Sequence, residues 1–276
     1  MKNENEILAK ISNLLLDRTG IFIRENHLPA LKNKLNRILR DWKLSDYEEL
    51  YNILVHDDYS EKFFDVVNEI SVNVTDFYRQ FEHFLFVRDN FVPEYLKING
   101  QPWKIKAWSA ACSTGEEAYS ILMSLLDGFH RMNVNKYAVK LVASDISTRA
   151  LGTARQGVYD LERVKEKLLE EEGLTRYFQK GFGKNEGMVK VKDFLQKPID
   201  FIRLNLNEEI PFSREFDIVF IRNVLIYFSK EKQGEILSRI CQTMKTGSYL
   251  FLGYSETARD LSLPLEYVQP SVYRKI

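Results

Sequence analysis

Trp108-Ser-Ala-Ala-Cys-Ser-Thr-Gly115-Glu116-Glu117-Ala118-Tyr119-Ser120 is the stretch that decides the fold. An apolar run leads into a bend of small residues, and a helix-forming run follows. The pattern predicts a buried strand, a tight turn and a helix start. Such a junction leaves the backbone uncrowded at the carboxyl end of a strand and presents free amide N–H groups, which is where α/β folds bind ligands.

Outward from that turn the texture alternates. Ile105–Trp108 reads as a strand and Thr114 to about Phe129 as an amphipathic helix. Val139–Asp145 is a second strand ending on an acid, with a helix over Thr148–Arg155. Phe216–Ile221 and Tyr249–Gly253 are further strands, separated by a helix around Glu231–Met244. Strands alternating with helices imply an α/β class with a mostly parallel sheet and right-handed crossovers. Residues 175–204 break the alternation: Gly181-Phe-Gly183-Lys-Asn-Glu-Gly187 sits between strand-like runs and suggests an inserted antiparallel hairpin. The first 70 or so residues differ. Ile7, Ile11, Leu14 and Leu15, then Leu31, Leu35, Ile38 and Leu39, recur at helical spacing, and Ser45-Asp-Tyr-Glu48 reads as a capping box. The expected organisation is a helical domain over 1–72, a linker and connecting helix over 73–100, and an α/β domain over 101–276 with the insert at about 175–204.

Several residues stand where chemistry would be done. The acids Glu116 and Glu117 at the helix start would repel a pyrophosphate, which such turns often hold, and would welcome an amine or a sulfonium. The turn is therefore read as a site for S-adenosylmethionine. It lacks a G-x-G-x-x-G fingerprint, so a plain small-residue corner is the competing reading. Asp145 ends its strand thirty residues after Gly115, as a ribose-binding acid would, or it caps the helix that follows. Arg79, in Asn73-Val-Thr75-Asp-Phe-Tyr-Arg79, offers a fork of donors for a carboxylate, or forms a surface ion pair. Arg222-Asn223-Val-Leu-Ile-Tyr227-Phe228 follows a strand at the ligand-binding end, with no Pro-Pro after Asn223, which argues against amino-methylation of adenine or glutamine; the aromatics are alternatively core. Lys32, Lys34, Arg37 and Arg40 share one early helix, either as a solvated face or as a surface for an acidic partner.

Composition narrows the classes. With 45% hydrophobic and 28% charged residues and zero formal net charge, bulk charge gives no reason to expect nucleic acid or an anionic membrane. Cys112 and Cys241 lie in apolar runs and are expected as buried free thiols, and no zinc or other metal spacing is present. The polar N-terminus and the lack of a long apolar run point to a cytoplasmic protein.

Taken together the motifs resemble the CheR-type chemotaxis receptor glutamate O-methyltransferases. The resemblance is carried by Asn73-x-Thr75-x-Phe-Tyr-Arg79, Trp108 to Glu117, Ala143-Ser-Asp145-Ile, Asn205-Leu206, Ile221 to Phe228 and Gly253-Tyr-Ser-Glu-Thr257, in that order along nearly the whole chain. It implies a Rossmann-like S-adenosylmethionine-dependent domain, a small N-terminal all-helical domain and an inserted antiparallel β-subdomain. It implies that Asn73, Thr75 and Arg79 lie where the helical domain meets the cofactor, that Glu117 holds the methionine end and Asp145 the ribose, and that Asn205 and Leu206 frame the adenine. Arg222 and Asn223 would complete the pocket, and Arg79 and Tyr227 would face the methyl transfer. Lys34, Arg37 and Arg40 would face the cytoplasmic helices of a chemoreceptor, and the hairpin with Gly181 and Gly183 would dock a receptor C-terminal peptide. Ala118, Tyr78 and Lys34 replace the family's commoner Pro, Phe and Arg. The implied products are glutamate methyl esters and S-adenosylhomocysteine. A module that binds cofactor and receptor without turnover is the alternative.

Overall fold

The computed structural model describes residues 2–22, 28–56, 61–166 and 171–276. Among the described residues the chain opens with the α-helices α1 (Lys2–Thr19), α2 (Leu28–Trp42), α3 (Tyr47–His56) and α4 (Glu61–Ile70). Apolar residues at i, i+4 and i+7 of α2 (Leu31, Leu35 and Ile38) are buried against Leu15, Leu50, Leu54 and Val66 in a core of their own. The cap of α3 falls one residue later than the sequence pattern suggests. Asp46 accepts the Glu48 and Glu49 amides, and Glu49 reaches back to the Ser45 amide. Aspartate caps as well as serine does, so the box slides to Asp46-x-x-Glu49.

A long helix follows the linker: α5 (Glu82–Phe86), a π-helical turn over Val87–Phe91, and α6 (Val92–Ile98). The α/β domain then runs β1 (Trp103–Ala110), α7 (Glu116–Arg131), β2 (Tyr137–Asp145) and α8 (Thr148–Gln156). Next come β3 (Val158–Asp160), α9 (Leu161–Lys165), α10 (Glu171–Tyr177), β4 (Phe178–Lys180), β5 (Met188–Val191), α11 (Asp193–Gln196) and β6 (Ile199–Arg203). It closes with β7 (Phe216–Ile221), α12 (Lys230–Thr243), β8 (Met244–Leu252), β9 (Leu265–Gln269) and β10 (Val272–Lys275).

The main sheet has the order β6-β2-β1-β7-β8-β10-β9. The first five strands are parallel and the last two antiparallel. Period-two alternation splits its core. Trp108, Val219, Ile221, Leu250 and Leu252 pack on one face with Ile236, Leu237 and Ile240 of α12, and Ala107, Ile218, Phe220 and Phe251 pack on the other with α5 and α7. The chain leaves β1 to one side for β2 and β6 and returns on the other side for β7. That reversal makes a crevice above the carboxyl ends of β1 and β7.

The insert is a three-stranded antiparallel sheet, β3-β5-β4, with the glycine turn joining β4 to β5. Its first strand, Val158–Asp160, lies upstream of the expected segment. The run Ile199–Arg203, expected inside the insert, is instead the edge strand of the main sheet, pairing with β2 from Leu141 to Asp145. Both cysteines are buried free thiols.

Candidate active site

The turn after β1 is built from left-handed backbone. Ala111, Ser113 and Gly115 have φ of 66°, 51° and 98°. For alanine and serine that conformation costs about 1–2 kcal/mol each. Glycine is required at 115 for a second reason: a Cβ there would stand 2.7 Å from the Cβ of Ala154. The strain is held by tertiary bonds. The Cys112 amide donates to the Ser144 carbonyl, and the Ser113 amide donates to Asp145 Oδ2 at 2.8 Å. Ser113 Oγ reaches the Asn73 carbonyl, tying the linker to the turn.

Asp145 is buried, and its other oxygen accepts the Ser147 amide at 2.8 Å. The N-cap of α8 is Ser147, not Asp145. Backbone amides thus hold both carboxylate oxygens, Ser113 on one and Ser147 on the other, with the Ile146 amide adding to them. Burial raises this carboxyl above the ordinary aspartate range, opposed by the backbone amides.

The second acid is part of a buried cluster. Glu117 accepts from Ser109 Oγ at 2.6 Å and from Arg222 Nε at 2.9 Å. Arg222 is itself buried; its remaining nitrogens meet His83 Nδ1 at 3.1 Å and the Arg79 carbonyl at 2.5 Å. Glu116 differs from the expectation for it. It does not line the cleft; it lies buried, bonded to Thr114 Oγ1 and 3.4 Å from Arg163, and burial raises its carboxyl. Of the two acids at the helix start only Glu117 faces the ligand space, and its charge is matched by Arg222. Among the described residues no cation pairs with Asp145, the other acid of the cleft.

Asn73, Thr75, Arg79, Glu117, Asp145, Asn205, Leu206, Arg222, Asn223 and Tyr227 all line one cleft of about 1160 Å³, counting its open mouth. Asn205 frames the lip rather than pointing a free amide inward. Its Nδ2 holds the Arg18 carbonyl at the end of α1 and Glu208, and its Oδ1 takes the Asn207 amide. Ile146, Leu204, Leu206 and Phe228 make an apolar slot beside Asp145. Arg79 is half-buried and donates to the Val74 carbonyl at 2.9 Å; among the described residues no ion pair engages it, so the surface-pair reading fails. Burial raises the Tyr227 phenol, with Arg79 acting the other way and Glu256 with it. These residues fit a sulfonium-bearing nucleoside. The slot suits a purine, the cleft-lining Asp145 carboxylate suits a diol, and Glu117 suits an ammonium.

The receptor-facing candidates are spread over the surface. On α2, Lys34 Nζ donates to the Ile70 and Ser71 carbonyls, capping the end of α4, and burial lowers its pKa. It is therefore committed to structure rather than to an open basic stripe. Arg37 lies 3.3 Å from Glu69, Arg40 is 3.4 Å from Asp41, and Lys32 is 2.8 Å from Glu4. Gly181 and Gly183 flank Phe182, which is 81% exposed at the tip of the insert's hairpin. A Cβ at 181 would meet the Asn185 carbonyl, whereas 183 is open.

Three working residues carried no sequence signal of their own. Glu256 accepts the amides of Asn223, Leu225 and Gly253 and so shapes the turn that bears Arg222 and Tyr227. His83 contacts Arg222. Asn68 of α4 bonds Ser147 Oγ, Thr148 Oγ1 and the Arg149 amide, joining the helical domain to the start of α8. Glu256 stands inside the quoted Gly253–Thr257 motif, which was the available hint.

Comparison with known proteins agrees with this geometry. Residues 73–273 match the family described as CheR methyltransferase, SAM binding domain, and residues 6–71 match CheR methyltransferase, all-alpha domain. The chemotaxis protein methyltransferase of Borreliella burgdorferi is 32% identical over 273 residues, covering 97% of this chain and 93% of that protein. The protein of that name in Escherichia coli is 36% identical over 248 residues (90% and 82%), and the one in Salmonella typhimurium is 34% identical over 255 (91% and 84%).

Proposed function

This chain belongs to the CheR methyltransferase family, and from that premise we propose that it esterifies glutamate side chains on chemoreceptors. That it is a methyltransferase of chemotaxis using S-adenosylmethionine follows from the family; the glutamate and the receptor are the finer reading. When bound, the cofactor supplies a methyl activated by its sulfonium. A glutamate carboxylate is already ionised at neutral pH, so no general base is needed. One of its oxygens takes the methyl as the carbon–sulfur bond breaks, leaving S-adenosylhomocysteine and a neutral ester.

The side chains supply orientation and a dry site. Arg79 spends a single donor on Val74 and has the rest of its fork for the incoming carboxylate. Tyr227, a phenol that is protonated at neutral pH at its ordinary pKa of about 10, donates a single neutral hydroxyl bond that orients the carboxylate and blunts it less than a second charged donor would. Glu117, held by Ser109 and Arg222, receives the amine, and Asp145 receives the ribose hydroxyls. The Arg79 fork, paired with no carboxylate among the described residues and lining the cleft with Tyr227, is the observation that carries the reading.

Arg37 and Arg40, exposed on α2, supply the receptor contact, with Lys34 acting behind them by fixing the end of α4. The hairpin at Gly181 and Gly183, with Phe182 in the open, supplies a dock for a receptor tail peptide. No described helix is long and apolar enough to cross a membrane, and cytoplasmic residence is part of the proposal. Incubation with methyl-labelled cofactor and chemoreceptor-bearing membranes puts label in the receptor. Arg79→Ala lowers transfer by about a hundredfold, the size of a misplacement effect, with the fold intact. Tight cofactor binding with no receptor label would mean a non-catalytic module.

A further inference from the structure

His83 stands behind the cleft rather than in it. It lies in α5 at 1% exposure, with its ring against the edges of Phe220, Phe251 and Tyr254 at 6.5, 5.6 and 5.3 Å. Its Nδ1 is 3.1 Å from Arg222 Nη1. A guanidinium has donors only, so Nδ1 must accept, and a neutral ring then carries its proton on Nε2. Nε2 finds no hydrogen-bond partner of good geometry, although the Pro270 carbonyl lies beside it.

Arg222 leaves little freedom for any other arrangement. Its guanidinium carbon lies 5.1 and 5.6 Å from the Phe84 and Phe220 ring centroids. Nε serves Glu117, Nη2 serves the Arg79 carbonyl, and Nη1 serves His83. One buried fork therefore aims the acid of the cofactor cleft and the backbone of the Arg79 loop together. Without an acceptor at His83 a buried N–H is left unpaired, and the fork can recover it only by turning away from one of the other two. We infer that His83, fixed as the Nε2–H tautomer, is a positioning residue for methyl transfer that locks Arg222 and through it both Glu117 and the Arg79 loop. The charged and titratable groups around the ring are Arg222, Glu82 and Tyr254, with Glu82 bonded to the Tyr254 hydroxyl. Burial, then Arg222, pull the imidazole down to about 3, so it stays neutral at working pH.

The inference rests on the reading of Glu117 as a cofactor acid, and the test separates the two. Nitrogen NMR of the wild-type imidazole, without ligand, shows the proton on Nε2 and no titration between about pH 5 and 8, where an ordinary histidine would titrate. Calorimetry with S-adenosylhomocysteine compares His83→Asn, whose amide oxygen stands near Nδ1, with His83→Leu, which has no acceptor. His83→Leu weakens binding by about tenfold or more, the effect of one lost bond to a charged group, while His83→Asn binds close to wild type. A ring proton on Nδ1, a titration near the ordinary histidine value, or equal binding by both variants would overturn the inference. Absent binding by the wild type would overturn the cofactor reading and this one with it. Should His83→Leu fail to fold, the wild-type tautomer still decides.

Discussion

Removing the carboxylate of Glu256 should unmake the turn that carries the site. Its Oε2 accepts the Asn223 amide at 2.9 Å and the Gly253 amide at 2.6 Å, and its Oε1 accepts the Leu225 amide at 2.8 Å. The approach is close enough that a Cβ on Gly253 would lie 2.7 Å from Oε2. Glu256→Ala strands three amides in a mostly dry site. Each unpaired group costs about 1–3 kcal/mol, and partial relaxation brings the sum to about 3–5 kcal/mol. For a chain of this length that is a fall in Tm of about 5–9 °C. Glu256→Gln can set its one oxygen at the Oε2 position and keep two of the three bonds, leaving the Leu225 amide facing the Gln NH2, so it should lose about 1–3 kcal/mol and about 2–5 °C. Differential scanning calorimetry of the three proteins without ligand reads this order, and product affinity should follow it, because Arg222 and Asn223 ride on the same turn. A Glu256→Ala midpoint within about 2 °C of wild type, or a Gln variant as damaged as Ala, would refute the reasoning.

Asp145 gives a pH test with two opposed signs. Burial raises its folded pKa above the ordinary 3.8, so the stability it contributes is complete below the unfolded value and declines as pH rises through the folded one. Chemical denaturation across acid to neutral pH should show Asp145→Asn gaining on wild type as pH rises, while wild-type affinity for S-adenosylhomocysteine, which needs the ionised acceptor, increases over the same range; parallel trends would contradict this. Asn68→Ala should cost about 1–2 kcal/mol by leaving the Arg149 amide and the Ser147 and Thr148 hydroxyls without their partner across the domain junction. It should raise hydrogen exchange in both α4 and the start of α8; exchange confined to α4 would count against the coupling.

The sequence made some of this legible and hid the rest for identifiable reasons. The parallel strands were readable because burial on both faces forces apolar runs, as in Ile218–Ile221. The Gly115 turn was readable because few residues tolerate its φ and its closeness to Ala154. The hairpin glycines marked one turn of the insert, but β3 is only three residues long, and Gly157 before it reads as the end of a helix rather than the start of a strand. Ile199–Arg203 looked the same as an insert strand because pairing with β2 is a tertiary choice. Glu116 and Glu117 are equivalent by spacing; only the packing of β7 against β1 sends Arg222 to one and leaves the other buried. Lys34, Arg37 and Arg40 share a helical face in sequence, yet the end of α4 claims Lys34. His83 and Asn68 act through partners more than thirty positions away, as Glu256 does toward Asn223 and Leu225, and no local pattern encodes such contacts.

The central claim is that the methyl goes to a side-chain carboxylate, and its chemistry can be read directly. Chemoreceptor incubated with this protein and methyl-labelled cofactor should yield peptides whose tandem mass spectra place the methyl on glutamate, and mild alkali should release the label as methanol. Label that survives alkali, or that maps to nitrogen-bearing side chains, would contradict the account.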